Sequence, residues 1–372
     1  MLVTIIVFLL ILSVLVLIHE AGHFFVAKFF GIKVEEFGFG LPPRVFGKKI
    51  GETVYSLNWL PIGGFVKLYG EDEAGAGRPN LKLKTQNIKK GDEKRAFFAK
   101  PVWQRALVVF AGVFMNFVLA VVIISVLFSV VGIQTPGNKV TVDAVVKGAP
   151  AEKAGLKVGD TILSIDKNQI TSAEQLVAYA KKHLGEKLTI QLQTSNLKLQ
   201  TVEVTPRKVY PSNEGAMGIA ISQNVVVRKY PWYEAPFVGT YEALKQSWLI
   251  ISGLIMLVVQ LVTKGMVPQG VAGPIGIAQL TGIVVGIGPA AVLSLVSLLS
   301  LNLAIINILP IPALDGGRLF FILIEGIFRK KVNQAFEERA HMIGMIVLLG
   351  LIALITLHDL FRILTGQPII PK

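Results

Sequence analysis

The chain has 372 residues, of which 52% are hydrophobic and only 16% charged, with a formal charge of +13. Soluble domains alone do not explain this composition, because several apolar runs are long enough to cross a bilayer. The positive charge is no nucleic-acid signature, since many of the Lys and Arg flank apolar runs, where they set topology and meet anionic lipid; the absence of Cys excludes thiolate metal sites, thiol catalysis and disulfides.

Residues 1–30 read as a first membrane span. Leu2–Ile18 lacks the basic start and the small-residue cleavage site of a signal peptide. The first positive charges, Lys28 and Lys33, follow the run, so the N-terminus is expected outside and the span enters the cytosol. Inside this span stands Ile18-His19-Glu20-Ala21-Gly22-His23-Phe24, an H-E-x-x-H pattern. Two imidazoles and a carboxylate are expensive in a bilayer, which marks them as functional. At helical spacing His19 and His23 share a face and can both reach one zinc ion, while Glu20 sits beside them as a base for a water molecule. His19 lies about 26 Å of helix from Leu2, toward the cytosolic side of a hydrocarbon core roughly 30 Å thick.

Residues 31–106 hold 14 Lys or Arg against 8 acidic residues and are expected on the cytosolic side or re-entrant. Val34–Leu68 is rich in Gly, aromatic and β-branched residues and reads as short strands turning at Pro42-Pro43 and Pro61-Ile62-Gly63-Gly64. Glu71–Lys94 reads as a polar loop. Residues 107–131 form the second span, in which Gly112 and Asn116 lie one turn apart, either as packing residues or beside the active site.

Residues 137–226 read as a soluble domain with a helix near Ala173–His183 and strands at Lys187–Gln193 and Lys198–Pro206. Residues 230–290 contain Trp248–Val262, apolar enough to cross a membrane, and a Gly/Pro-rich stretch at Lys264–Gly276. Residues 291–317 are the third span, 318–341 a cytosolic loop marked by Arg318, Arg329, Lys330, Lys331 and Arg339, and 342–364 the fourth span. The parity of these crossings leaves Tyr241–Thr263 on the outer side, packed along or partly into the bilayer. Otherwise the third span would run outward and carry its end away from the histidines.

A catalytic zinc takes three protein ligands and one open position. Asp315 is the best third ligand: it follows a Pro-broken helix end and precedes two Gly, which let the backbone turn the carboxylate toward the metal. Glu325 is its rival. His341 and His358 are expected at the ends of the last span, His183 on the soluble domain, and Asp160 and Asp166 in turns.

The run Ala149-Pro150-Ala151 through Gly155-Leu156, Gly159-Asp160 and Ile162 resembles a bacterial PDZ domain. With it, H-E-x-x-H in the first span and N-x-x-P-x-P-x-L-D-G at Asn307–Gly316 resemble the site-2 protease family of intramembrane zinc metalloproteases, in its bacterial RseP and RasP branch. That resemblance implies a polytopic α-helical membrane protein of about four transmembrane helices, with a membrane-associated β-hairpin region at 34–69 and one inserted PDZ domain on the extracytoplasmic side of a bacterial inner membrane. It implies His19, His23 and Asp315 as zinc ligands, Glu20 as catalytic base, and Asn302 and Asn307 as substrate-binding residues. Gly215-Ala216-Met217-Gly218-Ile219 is either the carboxylate-binding loop that bacterial PDZ order implies or a plain β-turn. The implied partners are the lipid bilayer and single-span membrane protein substrates, such as anti-sigma factors or remnant signal peptides, with no nucleic acid. There are two departures: one PDZ domain stands where the RseP type has two in tandem, and Val113 replaces the Pro of the family's G-P-x-x-N. The competing classes are a membrane PDZ adaptor without chemistry, which has no need of the two metal motifs, and a metal transporter, which would need ligands on several spans.

Overall fold

The computed structural model describes residues 2–71, 92–211, 214–265, 271–330 and 332–366. Most of Glu71–Lys94 and the centre of Lys264–Gly276 lie outside the described residues. The chain divides into two compact units, 1–131 with 231–372, and 132–230.

In the first unit, α1 (Leu2–Phe29) and α2 (Val102–Val130) cross where each carries a glycine. A Cβ at Gly22 would stand 2.7 Å from Ala111 C and 2.9 Å from Gly112 N, so only glycine allows this approach. Close backbone packing through small residues replaces the hydrophobic drive that lipid cannot supply. Between them, β1 (Val34–Ile50) and β2 (Thr53–Leu68) pair antiparallel. Each bends at its Pro-containing turn, as the sequence suggested. The first half of β1 therefore pairs on both sides: Gly38 faces Ser56 on one and Phe65 on the other, while Gly47 faces Ser56 further out. The segment 64–68 is left as an edge against α1. Ser13 Oγ donates to Pro61 O at 2.7 Å and Gly64 lies against Leu17.

Downstream come α5 (Ala235–Lys264), α6 (Pro274–Ile287), α7 (Pro289–Ile308), α8 (Asp315–Phe328) and α9 (Gln334–Leu364), while α3 (Pro150–Lys153) and α4 (Ala173–Lys182) belong to the second unit. Among the described residues five helices are long and apolar enough to cross a membrane, α5 included. Their exposed faces carry large apolar residues such as Ile6, Phe25, Val262 and Ile346, as lipid contact requires. The buried stripe Gly239, Ala243 and Ser247 of α5 faces α2, with Gly239 against Ser125. α6 meets the start of α1, Gly282 against Thr4, and the end of α9, where Gly276 N donates to Asp359 Oδ2 at 2.7 Å. The cytosolic loop expected at 318–341 instead holds most of α8 and the start of α9. The apolar face of α8, with Phe321 and Ile322 buried, gives Leu319–Ile324 a packing partner that charge counting hides.

The second unit is a PDZ domain. Its sheet runs β7-β6-β4-β3-β8, with β3 (Ile133–Val145), β4 (Thr161–Ile165), β6 (Leu188–Gln193), β7 (Leu199–Val204) and β8 (Ile219–Arg228), and β5 (Asn168–Gln169) pairs with β4. Alternation in β6 buries Leu188, Ile190 and Leu192 on one face. They pack with Leu176 and Ala180 of α4 (Ala173–Lys182), whose N-cap Ser172 accepts from Gln175 N. α3 (Pro150–Lys153) is the single turn of the A-P-A-x-x-A-G-L run. Asp160 and Asp166 cap turns, accepting from Lys157 N and Thr189 N, and His183 pairs with Glu186 at the domain surface.

Candidate metal centre

His19 and His23 project from one face of α1 and meet Asp315, the first residue of α8. His19 Nε2 lies 2.7 Å from Asp315 Oδ2 and 3.2 Å from His23 Nε2, and His23 Nε2 lies 3.2 Å from Asp315 Oδ2. Both histidines are buried. Donors bound at about 2.0–2.2 Å around a tetrahedral ion stand roughly 3.3 Å apart, so this triangle needs little opening to hold one. His23 Nδ1 donates to Val108 O at 2.8 Å, which leaves Nε2 free for a metal. The two-imidazole, one-carboxylate set suits zinc and leaves a fourth position open.

Local sequence explains how Asp315 arrives. α7 ends at Ile308, and Leu309-Pro310-Ile311-Pro312 cannot continue it. Ala313 takes a left-handed conformation, φ 80°, held by its N–H donating to His341 Nδ1 at 2.9 Å. Gly316 and Gly317 then pack on the carbonyls of residues 308–311, where a Cβ would collide with backbone. Gly344 of α9 allows Pro312 a similar approach.

Glu20 is half-buried beside the cluster, and its Oε2 accepts from Val66 N at 3.0 Å on the sheet edge. It lines two cavities. One, of ≈ 60 Å³, also holds Glu71, Asp315 and Arg318, and Arg318 pairs with Glu71. The other, of ≈ 230 Å³, is lined by His19, Asn116, Leu303, Asn307 and Asp315 among others. Glu20 and Asn307 therefore line one chamber.

Residues 7–351 match Peptidase family M50. The chain belongs to that family. A relative from Clostridium perfringens, named as a candidate zinc metalloprotease, is 35% identical over 95% of this chain and 97% of its own. A similarly named protein of Agrobacterium fabrum is 31% identical over 95% of this chain and 94% of its own, and one of Staphylococcus aureus 30% identical over 97% and 99%. The solved PDZ domain of an SdrC-like protein from Listeria monocytogenes aligns with 24% of this chain and 93% of its own, at 21% identity and a TM-score of 0.21. This M50 protein is thus a zinc metalloprotease by family, and His19, His23 and Asp315 form its candidate metal site.

Of the residues expected at the site, His19, His23, Glu20, Asp315 and Asn307 converge. Asn302 does not: its Nδ2 donates to Leu298 O within α7, and it lines neither cavity. Five residues separate it from Asn307, which places the two on different faces of the helix. Glu325 is engaged elsewhere, bonded to the buried Arg105 at 2.8 and 3.1 Å. His341 is no ligand but shapes the turn that carries Asp315. Arg318 and Glu71 were not expected at the site from sequence, whereas Gly112 was singled out with Asn116 and does stand against both histidines. Arg318 stands one helical turn from Asp315, while Glu71 has no local signal.

The PDZ domain carries a separate groove of ≈ 420 Å³, lined in part by Leu176, Val177, Ala180, Met217, Ile219 and Ile221. It runs between α4 and β8, an edge strand. Gly215, Ala216, Met217 and Ile219 line its end, and the segment is a turn, with Gly218 N donating to Gly215 O.

Proposed function

We propose that this protein is an intramembrane zinc endopeptidase that cuts the transmembrane segments of single-span membrane proteins, anti-sigma factors or remnant signal peptides among them. The observation that carries this reading is the convergence of His19 and His23, on a helix apolar enough to span a bilayer and with Glu20 beside them, upon Asp315 at the start of α8.

The two imidazoles and Asp315 would hold the ion. Zinc bound there would acidify a water molecule and polarise the scissile carbonyl. Glu20, oriented by Val66 N–H, takes the proton from the attacking water and delivers it to the leaving amide nitrogen. A helical substrate hides its carbonyls in its own hydrogen bonds and must unwind to be cut. The edge at 64–68 offers backbone groups to the extended chain, and Asn307 offers an amide to a strand carbonyl. The PDZ groove admits an extended peptide by strand addition. Charge distribution supports a place in a bacterial cell membrane with the PDZ domain on the extracytoplasmic side.

The membrane adaptor reading uses only the PDZ groove and leaves the metal centre without a role. Purified protein reconstituted with a tagged single-span peptide tests the choice. The wild type should carry close to one zinc and release two fragments. Glu20→Gln should keep zinc while cleavage falls by about 10²–10⁴-fold. Zinc without any cleavage of several single-span peptides would sink the protease reading.

A further inference from the structure

His19 turns Nε2 toward His23 and Asp315. A neutral imidazole that gives one ring nitrogen to a metal keeps its proton on the other, so His19 Nδ1 needs an acceptor. For His23 the equivalent acceptor is Val108 O. The group facing His19 Nδ1 is the side-chain amide of Asn116, with Nδ2 at 3.4 Å. Two donors cannot satisfy each other. Meanwhile, among the described residues, Oδ1 of the same amide has no hydrogen-bond partner, on a residue that is 0% exposed. Amide oxygen and nitrogen are distinguished only by their partners, so a half-turn of the amide gives Oδ1 the ring N–H and removes the donor–donor contact.

We propose that Asn116 is a positioning residue of the metal centre: its Oδ1 accepts from His19 Nδ1–H and fixes the tautomer and ring orientation that aim Nε2 at the ion. The inference rests on the reading of His19 as a zinc ligand. Its anchor is independent of that reading. Ser300 Oγ on α7 donates to Asn116 O at 2.7 Å, so the residue is clamped between α1, α2 and α7. Gly112, one turn earlier, clears the space in which both rings stand. If Asn116 were only interhelical packing, any side chain of similar size would serve.

The test is zinc affinity of the purified full chain by chelator competition, together with the visible spectrum of the cobalt-loaded protein. Asn116→Leu keeps the volume and removes the acceptor; its zinc affinity should fall about 10–100-fold, with a changed cobalt spectrum. Asn116→Asp keeps an acceptor and should remain within about threefold of wild type. Asn116→Leu at wild-type affinity overturns the proposal, as does a folded Asn116→Asp that is as weak as Asn116→Leu. A smaller pair repeats the comparison should either fail to fold: Asn116→Ser should hold zinc at least about fivefold more tightly than Asn116→Ala, and equal affinities overturn the proposal. His19→Ala should lose zinc. If it binds like wild type, the ligand reading falls, and the role of Asn116 with it.

Discussion

Gly112 of α2 lies directly against His23 of α1: a Cβ at Gly112 would overlap His23 Nε2 and stand 2.9 Å from His19 Cε1. The glycine thus leaves room for both zinc-facing nitrogens. Gly112→Ala should displace the rings, lower zinc affinity at least about tenfold and cost about 1–3 kcal/mol of stability through overpacking. Zinc titration and thermal unfolding measure both. An alanine variant with wild-type zinc affinity would mean that the rings point elsewhere.

Asp315 and Glu325 make opposite predictions. Asp315→Asn removes a charged donor 2.7 Å from His19 Nε2 and should lower zinc affinity by at least about 100-fold, abolishing cleavage with it. Glu325→Gln should leave zinc bound. It strips the counter-charge from Arg105, whose side chain is 6% exposed, and should destabilise the fold by about 3–5 kcal/mol. Metal analysis and melting of both variants decide. Full zinc in Asp315→Asn would remove Asp315 from the ligand set.

How far the sequence reached follows from how local each signal is. His19, Glu20 and His23 share one helical turn, so spacing alone places them on one site. Asp315 stands 296 residues from His19, yet the Pro and Gly around it announce a backbone that leaves its helix. The clamp between Ala313 and His341 has no such marker, since either residue alone is unremarkable and only packing of α9 on the turn joins them. The double pairing of β1 is similar. Its turns were legible, but the choice of partner on each side depends on how the strands fold back against α1. Asn302 failed to join the cavity because motif membership carries no helix phase, whereas its five-residue offset from Asn307 does.

The PDZ domain folds around its own core and forms a unit distinct from the helices that hold the zinc donors. Replacing residues 132–230 by a short linker should leave zinc content unchanged. Cleavage of a substrate already trimmed of its external domain should persist at or above the wild-type rate, while selection against untrimmed substrates is lost. Paired assays with trimmed and untrimmed peptides measure this. A stable, zinc-loaded deletion that cleaves neither would assign the domain a part in the chemistry.

The last prediction concerns whether α5 crosses the bilayer. Length and composition permit it. Yet Gly239, near its start, packs on Ser125 near the end of α2, and the chain that follows α5 packs on the same side of the bundle. Gly282 meets Thr4 at the start of α1, and Gly273 meets Asp359 near the end of α9. His23 meets Val108 and His19 meets Asn116, so α1 and α2 run antiparallel and Thr4 and Ser125 lie at the same end of the pair. We therefore expect the chain to enter the bilayer along α5 and to be back at the outer face by Gly273, so that α7 runs inward and delivers Asp315 to the histidines. A full crossing would set α7 the other way and separate the zinc donors by most of a bilayer thickness, roughly 30 Å. The chain has no native Cys, so single cysteines report cleanly. In intact cells a membrane-impermeant thiol reagent should label Val271→Cys and Trp232→Cys but not Lys330→Cys. Labelling at Lys330→Cys with none at Val271→Cys would overturn both this topology and the place of Asp315 in the metal centre.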